Sequence, residues 1–265
     1  MNRILLVLLS VLLLTACSNK FSKIVKSKDF EYKHKMADKY YEQKQYSYAQ
    51  QLYEDIFPFI KGSQGYEEAY YKFAFSYFYQ NDYLNAENLF KTFVESFPNS
   101  PKVEECDYMR AFCYFKQSPK IDLDQTNTNK TIGLMQTFIN THPSSAKSKE
   151  AADIIDKCRE KLEAKDYKSA ELYFNLGFFK AAAIAFGNVS DNFPDSKKAD
   201  EYKMLVVKSY LKYAEMSMEE KQKERYERAL NECADFNERF PNSKYLEEIA
   251  KYKKQSNNYL KNLKK

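Results

Sequence analysis

Small and aromatic residues recur at a fixed spacing along most of the chain. Three pairs of alanines are each twelve residues apart: Ala37 and Ala49, Ala74 and Ala86, Ala170 and Ala182. Aromatic residues follow at matching offsets, as Tyr53 and Phe90 do four positions after their alanines, which puts ring and alanine on one helix face. Small residues let two helices approach closely while the rings fill the space beside the contact. The pattern therefore predicts a series of helical hairpins.

A four-residue motif punctuates this series. It reads FPNS, HPSS, FPDS and FPNS, and its copies end at Ser100, Ser145, Ser196 and Ser243. Pro cannot continue a helix and Ser or Asn can cap the next one, so each copy should end one hairpin and begin another. The predicted hairpins cover about residues 30–60, 66–100, 102–145, 149–196 and 199–243, and a terminal helix runs from Tyr245 to Lys265.

The repeated unit resembles the tetratricopeptide repeat, a helix-turn-helix with Ala, Tyr and a closing Pro at these offsets. Residues 66–100 match it best. The chain has only 5 Gly and 7 Pro, which are too few for many tight hairpin turns between strands. We therefore predict an all-α fold, a right-handed solenoid of about five tetratricopeptide-like helical hairpins plus a C-terminal helix.

Two hairpins break the twelve-residue step. Ala111 and Thr131 are twenty residues apart, and so are Ser209 and Ala229. The added residues of the third hairpin, Asp122–Asn129, are polar and predict a protruding loop, whereas those of the fifth (EMSMEEKQKERYE) predict longer helices. Loops on a rigid scaffold often carry contacts. An insertion that is merely tolerated is the alternative.

The N-terminus has the pattern of a lipoprotein signal. Arg3 precedes an apolar run from Ile4 to Leu14, which is too short to span a bilayer but suits a secretory signal. Leu-Thr-Ala-Cys follows and resembles a bacterial lipobox, which implies cleavage before Cys17 and attachment of acyl chains to Cys17. An ordinary signal peptide beside an unrelated cysteine is the alternative, but an Ala-x-Ala cleavage site is missing nearby.

The residues after Cys17 bear on location. Ser18 and Asn19 carry no negative charge, which by resemblance to lipoprotein sorting implies an outer-membrane protein facing the periplasm. Lysines at positions 20, 23, 26 and 28 predict a basic tether beside the lipid headgroups, although a plain soluble linker would look the same.

The composition argues against several functions. Lys and Arg number 42 against 37 Asp and Glu, a mixed surface that does not favour nucleic-acid binding. The sequence lacks the HExxH, GxSxG and glycine-rich phosphate-binding motifs, so we predict no enzyme, no cofactor and no catalytic residue. No cysteines have CxxC spacing, and Cys106 and Cys113 lie about 10 Å apart on one predicted helix, so neither a metal site nor a disulfide is expected. His142 replaces the Phe of the closing motif and is predicted to serve as a substitute ring.

The aromatic content calls for a further explanation. The chain has 23 Tyr, 20 Phe and no Trp, and rings occur on every side of the helix predicted around residues 70–79. Most should form the core between stacked hairpins, but some could line a groove, where Tyr offers an apolar ring and a hydroxyl to extended peptides. Tyr40, Tyr71 and Tyr79 are the candidates for such a peptide-binding groove.

A lipobox followed by about five such hairpins resembles the BamD family, lipoproteins of the outer-membrane β-barrel assembly machinery. The more specific likenesses are DYMRA at the third hairpin and the stretch from Leu162 to Ser196. The resemblance implies a scaffold that binds the POTRA domains of BamA and other Bam subunits through its C-terminal repeats, and unfolded outer-membrane β-barrel precursors through its N-terminal repeats. The aromatic-rich second hairpin and the Lys-rich tail depart from the family pattern.

The predicted organisation is a signal peptide over residues 1–16, a lipidated tether over 17–29, repeats one to three over 30–145, and repeats four and five with the terminal helix over 146–265. Other tetratricopeptide lipoproteins, such as a secretin pilot or an activator of peptidoglycan synthesis, would share the anchor and the repeats. A glycan-binding lipoprotein is less favoured because sugar platforms favour Trp, which is absent.

Overall fold

A computed structural model describes residues 20–262, which are helical apart from short connections. After helical turns over residues 20–25, eleven helices follow one another within this range. They are α1 (Phe30–Glu42), α2 (Tyr46–Ile60), α3 (Tyr66–Tyr79), α4 (Tyr83–Ser96), α5 (Val103–Gln117), α6 (Thr126–Thr141), α7 (Ser148–Asn175), α8 (Phe179–Asn192), α9 (Ala199–Glu215), α10 (Glu219–Arg239) and α11 (Leu246–Asn262). The predicted all-α fold of five hairpins and a C-terminal helix is confirmed for the described residues.

The small residues of the twelve-residue pattern lie where paired helices meet. The alanines at positions 37, 49, 74, 86, 111, 170, 182 and 229 are all at most 1% exposed. Thr131 and Ser209, which replace alanine in the two longer hairpins, are equally buried, and each hydroxyl donates to a carbonyl four residues earlier in its own helix. A small residue is therefore required at these positions. The buried hydroxyl of Thr or Ser is tolerated because a backbone carbonyl of the same helix accepts its hydrogen bond.

The serine that ends each closing motif bonds to the first helix of its own hairpin. Its hydroxyl accepts a hydrogen bond from the backbone N–H two residues later, as Ser100 does from Lys102 at 3.1 Å. The same hydroxyl donates to a carboxylate on the first helix of the hairpin that it ends. The four pairs are Ser100 with Glu67 (2.6 Å), Ser145 with Glu104 (2.5 Å), Ser196 with Glu163 (2.5 Å) and Ser243 with Asp200 (2.7 Å). Instead of capping the next helix as predicted, each serine accepts the N–H two residues later and donates to a carboxylate. We call the bond to the carboxylate the serine clasp.

The chain forms two compact units. Unit 1 contains α1–α6 and the first part of α7 up to Cys158, and unit 2 contains residues 121–123, the rest of α7 from Arg159, and α8–α11. Helix α7 contributes Ile154 and Cys158 to the core of unit 1, and Ala170 to a core of unit 2. The contacts thus divide the chain inside α7, after Cys158.

The extra residues of the third and fifth hairpins were predicted to form a loop and longer helices, respectively. The structure has both, but the loop is shorter than predicted. In the fifth hairpin the added residues lengthen α9 and α10, which confirms the prediction. In the third hairpin the predicted loop Asp122–Asn129 is only partly right, because α6 already begins at Thr126. At its start Asp124 accepts the Thr126 N–H at 2.9 Å and the Thr128 hydroxyl donates to the Gln125 side chain at 2.6 Å. Asp122 is also ion-paired with Lys168 of α7.

The predicted tether is folded over its described part. Residues 20–25 are helical, Ile24 is 2% exposed, and the Phe21 ring lies 4.3 Å from the Tyr48 ring. From residue 20 onward this segment is packed, because Phe21 and Ile24 find an apolar surface on the first hairpin. The signal peptide and Cys17 lie outside the described residues. Between residues 20 and 262 no helix has both the length and the apolar character needed to cross a bilayer.

The His142 side chain takes the place of a closing-motif phenylalanine, as predicted. Its ring lies 5.1 Å from that of Phe138, as the Phe97 ring lies 4.9 Å from Phe93 and the Phe240 ring 5.5 Å from Phe236. The imidazole also lies 3.5 Å from the Asp107 carboxylate. The ring position is therefore kept because it covers the end of the second helix.

The four cysteines between residues 20 and 262 are buried thiols, at positions 106, 113, 158 and 233. Burial raises the pKa of Cys106 and Cys113, and it raises that of Cys233 to about 11. Because the thiolate is the reactive form, we expect the folded protein to resist iodoacetamide at pH 8 and all four thiols to react in urea. Mass spectrometry of alkylated peptides checks this. Rapid labelling of any of them without urea would contradict the burial described here.

Candidate protein-binding surfaces

The three candidate groove tyrosines occupy different environments. All lie on the first helices of the first two hairpins, Tyr40 on α1 and Tyr71 and Tyr79 on α3. Tyr40 is 9% exposed because Phe21 packs against its ring at 5.7 Å. Tyr71 is half-buried and Tyr79 is 47% exposed. Tyr79 thus offers the largest free ring surface of the three, and Tyr40 offers little.

Tyr79 belongs to a cluster that we call the tyrosine patch, formed by Tyr41, Tyr46 and Tyr79. The rings of Tyr46 and Tyr79 stack at 4.6 Å, and Tyr41 lies 5.6 Å from Tyr46 and 6.5 Å from Tyr79. The three residues come from the last turn of α1, the start of α2 and the end of α3, so the patch lies at the end of unit 1 where these hairpins turn. Sequence reasoning missed Tyr41 and Tyr46, although their position on either side of a predicted turn was a usable signal.

Two phenols of the patch, those of Tyr41 and Tyr79, have a raised pKa and keep their protons at neutral pH. Burial raises the pKa of Tyr41, and the neighbouring hydroxyls of Tyr79 and Tyr46 raise it further. Burial and Tyr46 likewise raise the pKa of Tyr79. The patch is therefore a neutral surface of stacked rings whose hydroxyls can donate or accept hydrogen bonds, without a charge to desolvate when a ligand covers it.

Tyr71 belongs to a more polar surface on the same unit. Its hydroxyl donates to Glu105 of α5 at 2.6 Å, and burial together with this hydrogen bond raises its pKa. The Lys102 ammonium lies 5.1 Å from the centre of the Tyr71 ring and pairs with Glu68. These contacts hold the ring in one orientation, so Tyr71 is a rigid element beside these three charged groups.

Most other rings form the core, as predicted. The fully buried aromatic side chains of the described residues include Tyr53, Tyr108, Tyr202, Phe90, Phe93, Phe138, Phe186 and Phe236. Rings on both sides of α3 are used because α3 packs between α2 and α4. Phe73 contacts the first-hairpin core while Phe75 contacts the core shared with α4.

Unit 2 carries a groove of about 560 Å³ lined by α8, α9 and α10. Tyr210 and Tyr213 of α9 lie under two arginines of α10: the Arg225 guanidinium is 3.9 Å from the Tyr213 ring centre and that of Arg228 is 5.2 Å from the Tyr210 ring centre. Lys180 and Lys221 add positive charge, and Glu224 and Glu227 offset part of it. Stacking on the rings fixes the guanidinium planes, while Arg228 also pairs with Glu232 at 2.8 Å and Arg225 donates to the Ser217 hydroxyl. The remaining N–H groups of the two arginines can bind carboxylates of a partner.

The described residues show no arrangement for metal chemistry. No group of three or more His, Cys, Asp or Glu side chains between residues 20 and 262 could hold a metal ion. What the surfaces above can do is bind other molecules, through rings, hydroxyls and fixed charges on rigid helices.

Comparison with known proteins gives the family. The family model described as YfiO, outer membrane lipoprotein, matches residues 28–225, which is most of the chain. The chain belongs to the YfiO family of outer membrane lipoproteins. A second model, for the lipid attachment site of prokaryotic membrane lipoproteins, matches residues 1–18 and so contains Cys17. Membership of the YfiO family and this site agree with a lipid-anchored membrane protein.

Two solved structures are similar to this YfiO-family chain at low identity. One is the TPR2AB-domain:pHSP90 complex of yeast Sti1, with 15% identity, a TM-score of 0.39, and coverage of 86% of this chain and 98% of the other. The second is a putative kinesin light chain of Podospora anserina with nearly identical TPR-like repeats, with 12% identity, a TM-score of 0.33, and coverage of 78% and 95%. No curated protein matches the sequence.

Proposed function

We propose that this protein is a lipid-anchored periplasmic scaffold of the β-barrel assembly machinery, which binds BamA and unfolded outer-membrane precursors. The observation that carries the proposal is the match to the YfiO family over residues 28–225. The lipid attachment site supports a position at the outer membrane. In this function no bond is made or broken. The scaffold holds polypeptides beside the membrane, where the anchor raises their effective concentration.

The tyrosine patch is the proposed contact for precursors. An unfolded β-barrel segment alternates apolar and polar side chains and carries unpaired backbone groups. Stacked rings bind the apolar side chains and neutral hydroxyls bind the backbone, without demanding one sequence. Tyr71 extends the surface with a ring held by Glu105 beside the Lys102–Glu68 ion pair. Tyr40 contributes by supporting the hairpin, since its ring is covered by Phe21.

The groove of unit 2 is the proposed contact for the POTRA domains of BamA and for other subunits. Its arginines are already oriented by Tyr210 and Tyr213, so binding a carboxylate would cost little side-chain entropy. A domain with an acidic edge therefore fits this groove better than a fully apolar one. Two separate surfaces would allow the scaffold to hold the machine and a precursor at once.

Purification from outer membranes in mild detergent tests the proposal. The expected result is that BamA co-purifies in stoichiometric amount with the wild-type protein, and that Arg225→Glu together with Arg228→Glu lowers its recovery at least tenfold. Lys149→Glu, an exposed change on unit 1, is the control and should leave recovery unchanged. Recovery of a secretin or a peptidoglycan synthase instead of BamA would support the alternative of another tetratricopeptide lipoprotein.

A photo-crosslinking residue tests the precursor site. With p-benzoylphenylalanine in place of Tyr79, we expect crosslinks to newly exported β-barrel precursors. The same residue in place of Phe59, a 59% exposed ring of unit 1 away from the patch, should give few. Equal crosslinking at the two positions would mean that the patch has no special role in precursor binding.

A further inference from the structure

The chain enters unit 1 at the end where the first hairpin turns. Residues 20–25 pack through Phe21 onto Tyr40 and Tyr48, which lie two residues from the end of α1 and two residues from the start of α2. Ile24, 2% exposed, fixes the same helical turns to the first-hairpin core. The position of Lys20 relative to the hairpin is therefore set by packing.

Only three residue steps separate Cys17 from Lys20. Even a fully extended chain of that length spans no more than about 11 Å. With acyl chains on Cys17, the turn end of the first hairpin is consequently held within about one headgroup layer of the leaflet. A long flexible linker would have left this distance open.

The charges at this end suit a phospholipid surface. The side chains of Lys20, Lys23 and Lys26 on the entering helical turns and of Lys44 in the α1–α2 turn are exposed, and so is Glu42 at the end of α1. Each lysine close to an anionic leaflet strengthens membrane partitioning about fivefold. Tyrosines, which favour the boundary between water and acyl chains, lie beside them in the tyrosine patch.

We propose that the turn end of the first hairpin is a membrane-contact surface, with Lys20, Lys23, Lys26 and Lys44 on the headgroups and the tyrosine patch opening at the leaflet. The occupant is the anionic phospholipid surface to which Cys17 is anchored. The inference rests on the lipid anchor of the proposed function and adds an orientation to it. A precursor bound to the patch would then be held where its strands must enter the bilayer.

Tryptophan fluorescence tests the orientation, because the chain contains no Trp. Lipidated Tyr46→Trp and Phe59→Trp variants are placed in vesicles of phosphatidylethanolamine and phosphatidylglycerol, with and without brominated acyl chains near the headgroups. The two positions are thirteen residues apart on α2, about 20 Å along the helix. The expected result is that brominated lipid removes most of the emission from position 46 and little from position 59.

Equal quenching at the two positions, or none at position 46, would overturn the proposal. Tyr79→Trp serves as a second reporter of the same end if Tyr46→Trp lowers the helical circular dichroism. The vesicles hold neither BamA nor precursor, so failure here would leave the scaffold function untouched. Loss of BamA co-purification would in turn leave the quenching result unchanged.

Discussion

Replacing Cys17 by Ser is expected to release the protein from the outer membrane into the soluble periplasmic fraction. The lipid attachment site contains Cys17, and no described helix could hold the chain in a bilayer instead. Each buried methylene contributes about 0.8 kcal/mol, so two or more acyl chains outweigh by far the few exposed lysines near the entry point. Fractionation of cells followed by immunoblotting measures the distribution.

The control is Ser22→Ala, an exposed change close to the anchor that leaves Cys17 in place. It should remain with the membrane fraction. If the Cys17→Ser protein still sedimented with outer membranes after a high-salt wash, the lipid would not be the anchor. The membrane-contact surface proposed for the turn end of the first hairpin would then be contradicted as well.

Phe90→Ala is expected to destabilise unit 1 by about 3–5 kcal/mol. Phe90 of α4 is fully buried beside Ala86 and packs edge-on against Phe75 at 5.0 Å. Its removal leaves a cavity between α3 and α4 that neighbouring helices can fill only in part. Since a domain is stable by only about 5–15 kcal/mol, the loss should lower the urea midpoint markedly. Circular dichroism during urea titration provides the measurement.

Leu84→Ala on the same helix is the matched control. Leu84 is 63% exposed, so its truncation should change the free energy of unfolding by less than about 0.5 kcal/mol. Similar losses for the two variants would mean that Phe90 is not part of a close-packed core. That outcome would also question the twelve-residue register that places Ala86 and Phe90 at the helix contact.

The hairpins could be predicted because their signals are local. A small residue, a ring one turn later and a closing Pro act within one hairpin, so Ala74, Ala86 and Pro98 suffice to place the second one. The division into two units could not be predicted in this way. Helix α7 has no Gly or Pro between Ser148 and Asn175, and which core each part of it joins depends on contacts with distant residues.

The candidate site was less predictable than the fold. Tyr79 was correctly placed on a first helix, but its exposure depends on Tyr46 of the neighbouring hairpin. Tyr40 has the same local signal and is covered, because Phe21 folds back onto it from a segment that looks like a linker. The exposure of a ring thus depends on long-range packing, and neither its spacing nor its neighbours in sequence report it.

The serine clasps have an evolutionary consequence. Each clasp links the end of a hairpin to the first helix of the same hairpin, as Ser100 does with Glu67 and Ser243 with Asp200. The clasp of a hairpin is therefore formed by residues of that hairpin alone, without a residue of the next one. Duplication or deletion of one such segment in the gene leaves the fastenings of the others intact, so related arrays can differ in length by whole hairpins while each remaining hairpin still closes.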